Sequence, residues 1–274
     1  MPSVLILSSF VASSRVGGGA QALALARLGI EPILVPTTLL GRHPGWGAPG
    51  GGPVEAATMQ AMLEAIEAQG LFAGLAAVIT GHFSTPEQVA VAARALDAVR
   101  AASPEAGLVV DPIMGDEGKG LYVSEAVADA IVAELLPRAD LIAPNAWELT
   151  RLSGCQVTDA ASAGFAARII RKPTLVSSIT AGDEIGVVYA DAAGTIVASH
   201  ERATRAPKGT GDLLTALFTA GLALDLDPAA ALIGAASGVA EAVTAAEGRD
   251  ELPMRAFPTV LGVSPIVKVE VFGG

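Results

Sequence analysis

Leu108-Val109-Val110-Asp111-Pro112-Ile113-Met114-Gly115-Asp116 is a short β-branched run that stops at a carboxylate and then turns. Alanine-rich helical patterns flank it, over residues 86–101 before it and 125–136 after it, so the run reads as a buried strand between two helices. The same alternation continues in both directions. Strands are expected at 4–7, 33–35, 77–79, 141–142 and 174–176, and further helices at 19–28, 53–69 and 160–170. Strand–helix alternation at this spacing predicts right-handed crossovers and a mostly parallel sheet covered by helices on both faces. Ligands of such sheets bind outside the carboxyl ends of the strands, so the residues just after each run are the candidate site.

Beyond residue 180 the pattern changes. Runs at 186–190 and 195–199, joined by Asp191-Ala192-Ala193-Gly194, predict an antiparallel hairpin, and the alternating run 266–272 predicts an edge strand. Residues 213–246 read as two buried helices, because Asp225, Asp227, Pro228 and Glu241 interrupt them before ~18 uninterrupted apolar residues accumulate. Thr85-Pro86 and Asp227-Pro228 each set a capping side chain before a proline at the first helical position. Residues 41–53, rich in Gly and Pro and carrying His43 and Trp46, read first as a flexible surface excursion, although loops of this length also carry function.

At 274 residues the chain is long enough for one large α/β domain, residues 1–274, and its 51% hydrophobic and 16% charged content shows no compositional sign of disorder. A net charge of −11 argues against nucleic acid and acidic membranes as partners. An acidic protein that handled phosphates would have to gather its few positive groups, helix dipoles or metal ions in one place. Cys155 is the only cysteine, which excludes an internal disulfide and a thiol metal site and fits a cytoplasmic location. The first residues lack the basic start and the long apolar run of a signal peptide, so export is not expected.

Ala206-Pro207-Lys208-Gly209-Thr210-Gly211-Asp212-Leu213-Leu214-Thr215 is a glycine-rich turn that delivers a carboxylate to the first turn of an apolar helix. Glycines let backbone approach a phosphate, and free N–H groups and the peptide dipoles at a helix start favour an anion. Asp212 is then a candidate base for a substrate hydroxyl, though by itself the segment could equally be a turn and an N-cap. Asn145 and Glu148 have the spacing of a capping box, which would explain both locally. They are also hard oxygen groups on the same rim as Asp111, where Mg²⁺ bound through water and phosphate oxygens would need them. Ser9, Thr37, His82, Ser177 and Ser178 follow other strands; the hydroxyls suit polar ligands or local turns, and a lone histidine suits a structural hydrogen bond or a ring contact.

In order and spacing, four segments resemble the pyridoxal kinase branch of the ribokinase-like superfamily over almost the whole chain. They are Ile6-Leu7-Ser8-Ser9 with Gly17–Gly19, then Val110-Asp111-Pro112-Ile113-Met114-Gly115, Ala143-Pro144-Asn145 through Glu148-Leu149, and Gly209-Thr210-Gly211-Asp212. The resemblance implies a three-layer α/β/α sandwich, assembled as a homodimer, that moves the γ-phosphoryl of ATP to a hydroxymethyl group. It implies Asp212 as base and Gly209, Thr210 and Gly211 as an anion hole. Asp111, Asn145 and Glu148 would organise Mg²⁺ and phosphates, with Asp111 and Glu148 nearest the metal; Thr210 in the glycine turn would face the ATP phosphates, and Ser177 and Ser178, by their place at a strand end, suit a nucleotide phosphate or ribose. Ser9, Thr37, His43 and His82 would face the substrate ring, and K⁺ is a further candidate cofactor. Two departures bear on substrate preference: histidine stands at position 82, where the family commonly has a tyrosine, and Arg15-Val16-Gly17-Gly18-Gly19 lacks the usual polar residue near Gly18. The nearest alternative is a hydroxymethylpyrimidine or hydroxymethylpyrimidine phosphate kinase of thiamine synthesis, which typically has cysteine where this chain has Asp212. A non-catalytic pyridoxal phosphate-binding protein is the other.

Overall fold

A computed structural model describes residues 1–273. In chain order the first half contains β1 (Ser3–Val11), α1 (Gly17–Arg27), β2 (Glu31–Leu40), β3 (Gly51–Pro53), α2 (Ala56–Ala68), β4 (Leu75–Thr80), α3 (Pro86–Ala102), β5 (Gly107–Val110), β6 (Gly115–Asp116), β7 (Gly120–Leu121) and α4 (Glu125–Ala130). The second half contains β8 (Leu141–Ile142), α5 (Ala146–Ser153), α6 (Ala160–Ile170), β9 (Thr174–Ala181), β10 (Glu184–Ala190), β11 (Gly194–Glu201), α7 (Thr210–Ala223), α8 (Pro228–Ala246) and β12 (Lys268–Gly273).

Ten strands form one sheet in the order β12-β11-β10-β9-β8-β5-β4-β1-β2-β3. The six strands from β2 to β9 run parallel, while β3 at one end and β10, β11 and β12 at the other are antiparallel additions. Val4, Leu5, Ile6 and Leu7 are completely buried, as a strand covered on both faces requires. One face packs against α1, α7 and α8 through residues such as Ile6, Ile79, Leu217 and Leu232. The other packs against α2, α3 and α4 near Leu7, Val78 and Leu96, and against α5 and α6 near Leu149 and Val188. This is the expected three-layer α/β/α sandwich.

The expected strands and helices are all present, with adjusted boundaries. Helix α2 starts at Ala56 rather than at residue 53, because Pro53 ends β3 opposite Thr38 and the Val54 N–H bonds the Thr37 carbonyl at 2.9 Å. The 41–53 segment is accordingly no free excursion: it contains a 3₁₀ turn at Pro44–Trp46 and then β3. The helix expected over 125–136 changes to a π-helical turn after Ala130, ahead of Pro137, which has no N–H to continue it. Strand β9 runs past its expected end, through a bulge at Ser177 and Ser178, to make a second hairpin with β10. By length and composition α8 could cross a membrane, contrary to the sequence expectation, but most of its residues are buried inside the protein, as in a core helix.

Strand β1 pairs with β2 on one side and β4 on the other, so successive connections leave it in opposite directions. A crevice opens where they diverge, outside the carboxyl ends of the parallel strands. Every major turn of the candidate site is placed there.

Candidate active site

A cavity of about 750 Å³ occupies that crevice. Its catalytic end is built by the start of α7. Gly209 adopts φ +89°, and a Cβ there would collide with the Arg15 carbonyl, so the turn requires glycine. The first helical bond of α7 runs from the Leu213 N–H to the Gly209 carbonyl at 2.9 Å. The N–H groups of Thr210, Gly211 and Asp212 therefore have no partner within the helix, and no side chain caps them. An added Cβ on Gly211 would meet nothing within 4 Å: neither its backbone nor its neighbours demand glycine, and the space above it belongs to the cavity.

Asp212 Oδ2 accepts the Gly17 N–H at 2.8 Å, so the carboxylate bridges the starts of α1 and α7. Its Oδ1 is buried without a partner. Burial pushes the Asp212 carboxyl up to about 6, opposed by the Gly17 N–H. Asp111, at the end of β5, is also buried, and its Oδ2 accepts the Thr215 hydroxyl from the next turn of α7 at 2.8 Å. Burial and then the Glu148 and Asp212 charges raise Asp111 well above the usual carboxylate range.

Asn145 and Glu148 do form the capping box at the start of α5. Glu148 does more than cap. Its Oε2 accepts the Asn145 N–H at 2.9 Å, while Oε1 accepts the Met114 N–H at 2.6 Å and the Gly115 N–H at 3.2 Å. The Asn145 amide donates to the Gly115 carbonyl at 2.8 Å, so the pair clamps the turn after β5 to the turn after β8. Burial nevertheless pushes Glu148 up to about 7, against those three backbone donors. Among the described residues no three His, Cys, Asp or Glu side chains stand close enough to form a ready metal cage. Asp111 accepts the Thr215 hydroxyl and Glu148 accepts three backbone N–H groups, an arrangement that fits a cation held mainly by water and phosphate oxygens in front of them.

At the other end Ser9 and His82 line the cavity. Thr37 does not: it is fully buried, and its hydroxyl donates to the His82 carbonyl at 2.5 Å. Thr38 lines the cavity instead, bonded through its hydroxyl to Ser84 at 2.7 Å. A bulge explains the exchange, since Thr37 and Thr38 together face Ser9 between the pairs Ser8–Pro36 and Phe10–Leu39. His82 has its Nδ1 buried and unpartnered, and burial lowers its pKa. His43 sits at the mouth, its Nδ1 accepting the Gly45 N–H at 2.9 Å, and its pKa is lowered by burial and by Lys208. Ser177 and Ser178 line the cavity at the β9 bulge, Ser178 with φ +64°. Sequence reading missed Ile113, Lys119, Tyr122 and Lys208, all of which line it. Ile113 is held at φ +35°, a strained conformation for a β-branched residue, directly after the Asp111-Pro112 turn. The two lysines and the open start of α7 are the anion-attracting groups of a cavity that also holds Asp111, Asp116, Glu148 and Asp212, with Lys119 paired to Asp116 at 3.4 Å.

Residues 19–254 match the family model described as phosphomethylpyrimidine kinase. The chain is 34% identical over 227 residues to a pyridoxine/pyridoxal/pyridoxamine kinase of Bordetella avium, covering 80% of this chain and 77% of the relative. It belongs to the pyridoxal kinase family. A pyridoxal kinase of Deinococcus radiodurans is 32% identical over 79% of this chain and 77% of its own length. Among solved structures, pyridoxal kinase from Entamoeba histolytica superposes with a TM-score of 0.90 at 25% identity, covering 99% of this chain and 100% of that one. Pyridoxal kinase from Leishmania donovani in complex with ADP and pyridoxamine gives 0.88 at 25%, with the same coverage.

Proposed function

We propose that this chain is a pyridoxal kinase that transfers the γ-phosphoryl of ATP to the 5′-hydroxymethyl group of pyridoxal, pyridoxine or pyridoxamine in vitamin B6 salvage. The observation that carries the reading is the Asp212 carboxylate beside the uncapped start of α7 at one end of the cavity. A loose phosphoryl-transfer transition state spreads charge over equatorial oxygens, so positioning and electrostatics matter more than covalent help. The free N–H groups of Thr210, Gly211 and Asp212 meet that charge, and the open space over Gly211 leaves room for the transferring group. Asp212 accepts the alcohol proton late, when the oxygen's bond to phosphorus has made it acidic. The Gly17 N–H fixes the carboxylate for that step.

Mg²⁺ would supply charge neutralisation between the phosphates. Asp111 and Glu148 would stand behind its water shell, and Asn145 would hold the turn that carries them. Ser177 and Ser178 are proposed to face the nucleotide, while Ser9, Thr38 and His82 face the ring, with Thr37 fixing His82 from behind. The free thiol of Cys155 suits a cytoplasmic location.

The test is to incubate the protein with Mg-ATP, with and without potassium, and in turn pyridoxal, pyridoxine, pyridoxamine and hydroxymethylpyrimidine. ADP and phosphorylated product are measured. Turnover of the B6 vitamers is expected. The matched family model carries the phosphomethylpyrimidine kinase description, so turnover confined to the pyrimidine would sink the proposal in favour of that branch. Tight pyridoxal phosphate binding with no turnover would reduce the chain to a binding protein.

A further inference from the structure

Thr85-Pro86-Glu87-Gln88 has the spacing of a capping box, in which the glutamine at the third helical position reaches back to the N–H of the capping residue. Half of that box forms: the Thr85 hydroxyl accepts the Gln88 N–H at 3.3 Å. The Gln88 side chain is used otherwise. Its Oε1 accepts the Ser84 N–H at 2.8 Å, one residue before the cap, and its Nε2 donates to two carbonyls, of Thr37 at 2.7 Å and of Val54 at 2.6 Å. Gln88 is completely buried, and both amide hydrogens and the amide oxygen are engaged. A helix cap needs only the acceptor. The two donors hold segments 51 and 34 residues away in the chain, and both segments belong to the ring end of the cavity.

Thr37 belongs to the β2 bulge, and its carbonyl accepts the Val54 N–H as well as the Gln88 amide. With that carbonyl fixed, its hydroxyl supports the His82 carbonyl and Thr38 is left to face the cavity. Ser84, held through its N–H, holds the Thr38 hydroxyl in turn. Val54 follows β3, which returns the segment carrying His43 to pair with β2. One amide thus joins the mounts of Thr38, His82 and the returning segment, while Gln88 itself does not line the cavity and makes no bond to the start of α7, Asp111 or the β9 bulge. We propose that Gln88 is a positioning residue for the ring-binding end: it sets the affinity for the acceptor and leaves the nucleotide end alone. This rests on the kinase reading above. Groups that bind a ligand must be held by locked neighbours, and a displacement of about 1 Å can cost ~10²-fold.

The test measures initial rates with pyridoxal and, separately, hydroxymethylpyrimidine, varying the acceptor at saturating Mg-ATP and then the reverse. Gln88→Met keeps the length without the donors, and should raise KM for the acceptor at least ~10-fold while KM for Mg-ATP stays within about twofold. Thr85→Ala removes the helix cap alone, and should lower the melting temperature with neither KM changed. Gln88→Glu keeps the acceptor for Ser84 and adds an acid to the first turn of α3, so it serves if the apolar variant does not fold, and the same split is expected. Melts with and without Mg-ADP check that each variant is folded and binds nucleotide. KM values that rise together, or a lower melting temperature with both unchanged, would overturn the proposal without touching the functional reading. The split seen with hydroxymethylpyrimidine alone would uphold the role of Gln88 and sink the pyridoxal reading. An unaltered protein that neither turns over nor binds either acceptor would overturn both; if it binds without turnover, the acceptor Kd takes the place of KM.

Discussion

Gly209 and Gly211 stand two residues apart and are glycine for different reasons. Gly209→Ala should lower stability by at least about 2 kcal/mol, from a strained φ and a collision with the Arg15 backbone, read in a denaturant melt. Gly211→Ala should melt at or above the unaltered temperature yet lose at least ~10-fold in kcat/KM, because its methyl group enters space meant for the transferring phosphoryl. Asp212→Asn should lower kcat by at least ~10²-fold while ATP affinity stays within a few-fold. It carries a second, independent signature. An acid whose folded pKa is raised contributes stability below its unfolded pKa and loses it as pH rises through the folded one, which for Asp212 means between 3.8 and about 6. The ligand-free Asn variant should therefore melt higher than the unaltered protein at pH 7 to 8, with the advantage fading as pH falls toward 4. Equal melting temperatures throughout would mean the carboxylate is not desolvated.

At the scale of elements, Glu148 ties three together: it caps α5, holds the turn between β5 and β6, and faces the cavity. Glu148→Gln keeps the shape but turns one acceptor into a donor facing backbone N–H groups. A loss of about 1–3 kcal/mol is expected from calorimetry, together with a raised KM for Mg-ATP. A purely capping role would lower stability and leave KM alone. The same elements show why part of the site was legible in sequence and part was not. Asp111, Asn145 and Asp212 directly follow a strand or open a helix, so periodicity located them. Thr38 could not be told from Thr37, because a bulge in the β1–β2 pairing decides which of the two faces the cavity. Lys119 and Tyr122 are carried by the small β6–β7 hairpin and its exit, too short to leave a periodic signal. Strand β3 is likewise invisible: Gly51-Gly52-Pro53 has no strand propensity, and its pairing with β2 is imposed by the loop that returns it.

For the molecule as a whole, the fold was legible because its central strands are buried on both faces and separated by helices long enough to count. The chemistry concentrates unpaid charge: Asp111, Glu148 and Asp212 all have carboxyls raised by burial around one cavity. Each is protonated more readily folded than unfolded, so a cation and its nucleotide relieve most strain where all three are ionised. The thermal stabilisation by Mg-ADP should be larger at pH 8 than at pH 5.5, measured at fixed ligand excess. An equal shift at both values would place the metal away from these groups.

The bond from the Gly17 N–H to Asp212 spans 195 residues of chain. Contacts of such separation form late, after the loop between them has been closed. During synthesis the helix bearing Asp212 leaves the ribosome long after the first strands and helices, and α8 and β12 follow it. The Asp111 turn waits for the same helix, since Asp111 is held by the Thr215 hydroxyl of α7 and the strands beneath it pack on α7 and α8. Both carboxylates are therefore set in place by the last third of the chain, when the start of α7 docks against the start of α1.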